Sequence, residues 1–206
     1  MTLKLFHAWG SCSLASLIAL EEAGADYELA LMNTKVGDQR TAEYLAVNPK
    51  GRVPALVTPQ GVLTETPAIL SWIPETHPSA RLLPEDPWTR AQAHAFNSYL
   101  CSTVHVAHAH KHRGYRWADE ESSFADMTRK VAANETACFE LIEAEMFRGP
   151  WVLGRDYSVC DAYLFTLSGW LAGDGVDIAL FPKVADHSRR MRERPAVRKV
   201  LALEAA

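Results

Sequence analysis

The chain has 206 residues, of which 48% are apolar and 22% charged. That balance excludes a disordered or low-complexity polymer, and the length fits one domain or two small ones at about 150 residues per domain. The net charge of −4, from 25 acidic and 21 basic residues, gives no pull toward nucleic acid or an anionic membrane surface and leaves small-molecule or protein partners.

The four cysteines, Cys12, Cys101, Cys138 and Cys160, are scattered with no C-x-x-C spacing. Neither a zinc knuckle nor a disulfide framework is indicated, and a reducing compartment fits. The N-terminal stretch is broken by Lys4, His7 and Gly10 and does not read as a signal peptide, and no window reaches the length of a membrane span, so a cytoplasmic protein is expected.

In chain order, Leu3 and Leu5 alternate with Lys4 ahead of Phe6 and predict a short strand. Ser13 to Ala23 read as a helix ending at Gly24, and Tyr27 to Met32 as a second strand, together a right-handed parallel βαβ crossover. A short helix near Glu43 to Val47 precedes the turn Asn48-Pro49-Lys50-Gly51. Val53 to Thr58 and Val62-Leu63 flank Pro59-Gln60-Gly61 as a hairpin. Thr66-Pro67 opens a helix with Thr66 as N-cap, and Pro74 is expected to cut it short. This first unit is βαβ-ββα.

Beyond the proline-rich link Pro84 to Pro87 no strand is evident. Asp86-Pro87 starts a long helix to about Arg113, Ser122 or Ser123 starts another to Phe147, and Ser158 with Asp161 forms a capping box before the apolar run Ala162 to Leu171. Pro182 and Pro195 punctuate two short helices. The expected organisation is a mixed α/β unit over 1–80, a linker over 81–87 and an all-α bundle over 88–206.

Three places carry chemistry. Cys12 stands at or just before the first helix, where free N–H groups and the helix dipole favour a thiolate, with Ser13 placed to donate to a sulfur anion. An inert small residue at a helix start is the other reading. Thr66 heads a helix whose first turn suits a carboxylate, and Glu65 beside it could accept an ammonium group, although a plain N-cap is the commoner explanation of position alone. Val53-Pro54 places a proline in a strand, which implies an edge or a special bond, cis among the options, that leaves the backbone of Val53 free to pair with a peptide-like ligand.

The segments LKLFHAWGSCSLASLIALEEAG, NPKGRVPAL, LTETPAI and SVCDAYLFT resemble the cytosolic glutathione transferases, most closely the bacterial beta class. The resemblance spans nearly the whole chain. It implies a thioredoxin-like domain, a helical domain, a homodimer, and glutathione as co-substrate, with no metal. It assigns Cys12 to contact with the glutathione sulfur and Ser13 to the serine beside it. Val53 before cis-Pro54 pairs with the cysteinyl part, Glu65 and Thr66 hold the γ-glutamyl end, and Lys35 lies near the glycyl carboxylate. His105 matches an active-site histidine, with Ser102 ahead of it. Four positions depart from the pattern: His7 replaces a tyrosine and is expected to alter the pocket wall, Trp9 replaces a proline, Val106 replaces a lysine, and Pro74 interrupts the helix after Thr66.

Cys101, His105, His108 and His112 fall on one helix face, with His110 opposite. A divalent metal on an i, i+4 histidine pair is one reading, but four groups over nearly three turns cannot all reach one ion, and a polar cleft wall is preferred. The basic residues Arg189 to Lys199 lack a nucleic-acid recognition motif and read as a solvated face.

The function these features imply is glutathione-dependent conjugation to, or thiol-disulfide exchange with, a small electrophilic or disulfide substrate. Two rivals stand beside it. One is a glutathione-dependent isomerase of maleylacetoacetate type, for which Arg113 or Arg116 would line the second site. The other is a non-catalytic binding protein on the same scaffold.

Overall fold

The computed structural model describes residues 2–204. It opens with β1 (Leu3–His7), α1 (Ser13–Ala23), β2 (Tyr27–Leu31), α2 (Ala42–Val47), β3 (Ala55–Thr58), β4 (Gly61–Thr64) and α3 (Thr66–Thr76). The sheet order is β2-β1-β3-β4, with β1 and β2 parallel and β3 antiparallel to both β1 and β4. In β1 the side chains of Leu3, Leu5 and His7 are buried while Lys4 and Phe6 are half-buried, the two-residue period of a strand with one face to the core.

Helix α1 is apolar on more than one stripe. Ala15, Leu17, Ile18, Ala19 and Leu20 are all sealed from solvent, as suits a helix packed between two layers. Gly24 ends it at φ 63°, and Ala25 N–H donates to Leu20 carbonyl, the closure that a left-handed C-terminal residue allows.

Two expectations in this unit need correction. Val53 and Pro54 lie before β3, not within it, and β3 sits inside the sheet between β1 and β4, so Pro54 removes no ladder donor; the Val53–Pro54 bond is cis. Pro74 does not shorten α3, because its ring is buried in the core and the helix runs on to Thr76, closed by His77 N–H donating to Ile73 carbonyl.

Helices follow. Asp86 caps α4 (Pro87–Tyr99), its carboxylate accepting from Thr89 N–H at 2.8 Å. The long helix expected to Arg113 is continuous but carries one π turn at Leu100–Val104 before resuming as α5 (His105–Arg113). Helix α6 (Glu121–Leu141) begins after Glu120, not at a serine cap, and passes through a second π turn at Ile142–Met146. Then come α7 (Val159–Ser168), α8 (Pro182–Glu193) and α9 (Pro195–Glu204). No helix among the described residues is long and apolar enough to cross a membrane.

The capping box of α7 forms as the sequence predicts and reaches further. Asp161, fully buried, accepts from Ser158 N–H and Val152 N–H, both at 2.8 Å, and lies 3.0 Å from His187 Nε2 of α8. One carboxylate thus joins a helix start, the loop before it and a second helix.

The basic end is not simply a solvated face. Arg194 grips the Glu22 carboxylate of α1 with Nε at 2.5 Å and Nη2 at 2.8 Å, and its guanidinium lies 3.7 Å from the Tyr157 ring centroid. Lys199 reaches Glu21 at 2.8 Å. The C-terminal helices are thereby tied to the α1 end remote from Cys12.

Replacing Asp161 with Ala strands two buried N–H donors and His187. Asp161→Ala is expected to lose about 3 kcal/mol or more of stability by urea denaturation, and Asp161→Asn less, since an amide oxygen can still accept. Equal midpoints for wild type and Asp161→Ala would refute the hub role.

Candidate active site

Between the sheet unit and the helical unit lies a cleft of about 530 Å³, walled by the β1–α1 loop, the Val53–Pro54 loop, the start of α3 and the inward face of α5. Cys12, Val53, Pro54, Glu65, Thr66 and His105 all line it. A larger groove of about 960 Å³ lies along Pro74 to Arg90 and Leu153 to Ser158. It holds no thiol, so size does not locate the chemistry.

Cys12 caps α1 and is buried, its thiol 3.6 Å from the Val53 carbonyl, to which it donates. The lowered pKa expected from the helix N-terminus does not arise. Burial pushes the thiol up, with the Thr66 hydroxyl and the Arg113 charge pulling back more weakly. Ser11 engages two first-turn donors of α1: Ser13 N–H donates to Ser11 Oγ at 3.2 Å and Leu14 N–H to Ser11 carbonyl at 3.2 Å.

Ser13 turns away from the cleft. It is sealed from solvent, its hydroxyl 2.7 Å from His7 Nδ1 and accepting from Ala8 N–H at 3.1 Å. The serine that faces the cleft is Ser11. His7, expected in the pocket wall, lies behind it, edge-on to Trp9 at 4.3 Å; burial lowers its pKa to about 4, so the ring is neutral. Trp9 itself does line the cleft.

At the other wall, α3 begins at Thr66 with Glu65 as its N-cap residue, and no side chain caps it. Thr66 is therefore the first helical residue and not the cap, which leaves first-turn N–H groups unclaimed by a capping side chain. Glu65 holds φ 72°, a conformation that favours glycine and costs a non-glycine residue about 1–3 kcal/mol, of the kind that clusters at binding sites. Its carboxylate is paired with Lys50.

The stripe running from the π turn into α5 faces the cleft as the preferred reading holds: Cys101, His105, His108 and His112 line it, and His110 packs on Trp117. His105 is edge-on to Trp170 at 5.1 Å, and burial followed by the charge of Arg113 lowers its pKa to about 4, so it is a neutral imidazole. His108 Nδ1 lies 2.6 Å from the buried Asp174 carboxylate, which Lys111 also contacts at 3.3 Å. Among the described residues no group of three His, Cys, Asp or Glu side chains is arranged to hold a metal ion.

Two further candidates fall outside. Ser102 is exposed, 3.5 Å from the Thr103 hydroxyl and not in the cleft wall. Lys35 is exposed; its loop reaches the cleft through Thr34, Gln39 and Arg40 instead. Sequence reasoning missed Ser11, Arg40, Arg52 and Tyr163. Arg52 was legible as the residue beside Val53-Pro54, whereas Tyr163 lies on the α7 that the capping box starts, and only the packing turns it toward Cys12.

A thioredoxin-like unit with a cysteine at its first helix, a cis-proline loop opposite and a helical unit closing the cleft defines a thiol-handling protein of the transferase type. The glutathione S-transferase N-terminal domain model matches residues 1–75. Glutathione S-transferase GstA of Escherichia coli O157:H7 is 30% identical over 98% of each chain. A glutathione transferase homologue from Sulfitobacter, crystallised with bound glutathione, is 44% identical with a TM-score of 0.96 over 98% of each chain. The beta-class glutathione S-transferase of Sphingomonas chungbukensis is 31% identical with a TM-score of 0.85 over 98% of each chain. The chain belongs to the glutathione S-transferase family, close to its beta class.

Because the Cys12 thiol is raised, its carbamidomethylation by iodoacetamide in the free protein, read by mass spectrometry, should be slow at pH 7 and still climb through the ordinary thiol range. A rate plateau near neutral pH would contradict this.

Behind His108, Glu135 of α6 is buried with Oε1 unpartnered, and burial followed by the Asp174 charge raises it from the usual 4.5 to about 8. The folded state keeps a proton that the unfolded chain gives up above about 4.5, so stability contributed by this group is full below that pH and is lost as pH rises toward 8. Glu135→Gln should match wild type in melting temperature near pH 5 and exceed it at pH 8.5, a gap of about 2–4 kcal/mol. Parallel melting curves at both pH values would refute it.

Proposed function

We propose that the chain binds glutathione along the cleft and presents its thiolate to a small electrophile, acting as a homodimer in the cytoplasm. The observation that carries the reading is the convergence of Cys12, Val53 and the Glu65-Thr66 pair on one cleft from three separate parts of the chain. Each suits one piece of the tripeptide. The uncapped start of α3, with Thr66, suits the γ-glutamyl carboxylate, and Glu65 its ammonium group. The Val53 backbone, which precedes β3 and whose carbonyl accepts from the Cys12 thiol at 3.6 Å, suits strand-like pairing with the cysteinyl part. Arg40 and Arg52, with Lys35 farther out on the loop, suit the glycyl carboxylate.

A thiol that stays protonated is a donor. Cys12, raised by burial, would donate its S–H to the glutathione sulfur anion, and the Arg113 charge would add to the stabilisation. Ser13 acts here as a positioning residue that fixes the Cys12 loop through His7 and Ala8. His105, neutral and in the cleft wall, can accept or donate a hydrogen bond beside the sulfur without carrying charge. The sulfur then attacks the electrophile, the new C–S bond forming as the leaving group departs with its electron pair and the thiol proton passes to solvent. Preformed geometry supplies the proximity. The raised thiol favours this conjugation over a mixed disulfide at Cys12, which would need its thiolate.

The test is turnover of 1-chloro-2,4-dinitrobenzene with glutathione, alongside calorimetric glutathione binding. Wild type should bind glutathione and conjugate. Cys12→Ala should lose about tenfold or more in kcat/KM, with Cys12→Ser, which keeps a donor, recovering part of it. Glutathione binding with no turnover of any electrophile or disulfide would instead establish the binding-protein reading, and no glutathione binding would end both.

A further inference from the structure

Four arginines line the cleft, Arg40, Arg52, Arg113 and Arg116, and none has a carboxylate partner among the described residues. The acidic residue in the wall, Glu65, is already paired with Lys50. Glutathione with an ionised thiol carries two carboxylates, one ammonium and one thiolate, a net of two negative charges. Even with glutathione bound, the cleft therefore retains cationic surplus.

The arginines divide by position. Arg40 and Arg52 belong to the sheet unit, beside the groups suited to the tripeptide. Arg113 ends α5 and Arg116 follows one turn later, both half-buried on the helical side of the cleft, where Tyr115 and Trp117 also stand. Arg116 lies over the Tyr115 ring at 6.0 Å. Their field is felt by neighbours: Arg113 is itself pulled down by burial and then by Arg116, and the His105 ring is lowered by Arg113, Arg52 and Arg116 after burial. Two half-buried guanidinium groups that repel each other in a partly apolar wall are relieved by an anion.

We propose that the second-substrate side of this cleft takes planar, carboxylate-bearing electrophiles, the carboxylate held by Arg113 and Arg116 and the ring set against the aromatic wall of Tyr115 and Trp117. The proposal rests on the glutathione reading above and names the substrate class of that site. A planar carboxylate can accept from guanidinium groups in the paired geometry that a neutral amide cannot match, and the aromatic faces add stacking area. The surface arginines Arg129 and Arg189 are each paired with a neighbouring carboxylate, whereas the cleft arginines are not, so the cleft concentrates positive field that attracts an anion.

The probes are 4-chloro-3-nitrobenzoate and the near-isosteric 4-chloro-3-nitrobenzamide. In each the glutathione sulfur displaces chloride from the ring, the C–S bond forming, the C–Cl pair leaving on chloride and the thiol proton going to solvent. With glutathione saturating, each kcat/KM is divided by the uncatalysed rate constant of the same probe. The benzoate should be favoured at least tenfold, and the preference should shrink as potassium chloride is raised. It should fall tenfold or more in Arg113→Gln/Arg116→Gln and in part in Arg116→Gln alone, and persist in Arg129→Gln, which removes an exposed charge outside the cleft wall that is paired with Asp126. No preference in wild type, or a preference untouched by the double substitution, overturns the proposal. Calorimetric titration of both probes into the chain, with and without S-methylglutathione, reads the same preference without chemistry. A chain that binds no glutathione yet still favours the benzoate keeps the anion site and loses only the glutathione reading; a chain that binds glutathione and ignores the charge of the probe does the reverse.

Discussion

The position of Cys12 depends on the burial of α1. That helix is sealed along Ala15 to Leu20, and burial of Leu17, Ile18 and Leu20 alone stabilises the fold by about 1.5–3 kcal/mol each. Its C-terminal end is held from the helical unit, Glu22 by Arg194 and Glu21 by Lys199, and from within the sheet unit by the Tyr27 hydroxyl, which donates to Glu21. Its N-terminal end is held by the Ser13 hydroxyl between His7 and Ala8. A cysteine at the first residue before such a helix inherits the rigidity of the core. The site is in effect the cleft-facing end of a core element.

Electrostatics in the cleft then divides into fixed cations and neutral groups. His105 is neutral because burial and nearby arginines disfavour a further positive charge, and Cys12 keeps its proton because burial outweighs Thr66 and Arg113. Nothing in the wall except Glu65 contributes negative charge, and Lys50 offsets that. The overall charge of −4 conceals this local arrangement. What the cleft offers a sulfur anion is a positive field and uncharged donors, which stabilise it without competing for its proton.

Much of the fold was legible because its signals are local. The alternation around Lys4, Gly24 after an apolar helix, Asp86-Pro87 and Ser158 with Asp161 each act over a few residues, and each is found as its side-chain chemistry predicts. The π turns at Leu100–Val104 and Ile142–Met146 were not legible, since an inserted residue leaves the apolar period almost intact. Glu65 as cap was missed because its side chain makes no capping bond, and the unusual φ that starts α3 is a property of the backbone. Arg194 looked like surface charge because its partner Glu22 lies 172 residues away. Cys12, Val53, Glu65 and Thr66 could be read from chain position because β1, β3 and α3 carry them to one sheet end. Lys35 and Ser102 were read from chain position in the same way, and both are exposed and outside the cleft lining, since a loop or helix can be right without its side chain reaching the wall.

Ser13 shows where residue-type reasoning ends. A hydroxyl next to a cysteine at a helix start suggests a donor to sulfur, yet the direction of that hydroxyl is set by residue 7 on the neighbouring strand. With His7 there, buried and neutral, Nδ1 lies 2.7 Å from the Ser13 oxygen, and the Ala8 N–H fills another of its lone pairs. His7 and the inward Ser13 are thus direct partners, and Ser11 Oγ, 2.7 Å from the same hydroxyl, ties the loop to them. Together they anchor the loop from behind, and they leave the cleft face of that loop to Ser11, Cys12 and Trp9. Position 7 thus bears on how firmly the Cys12 loop is held from behind.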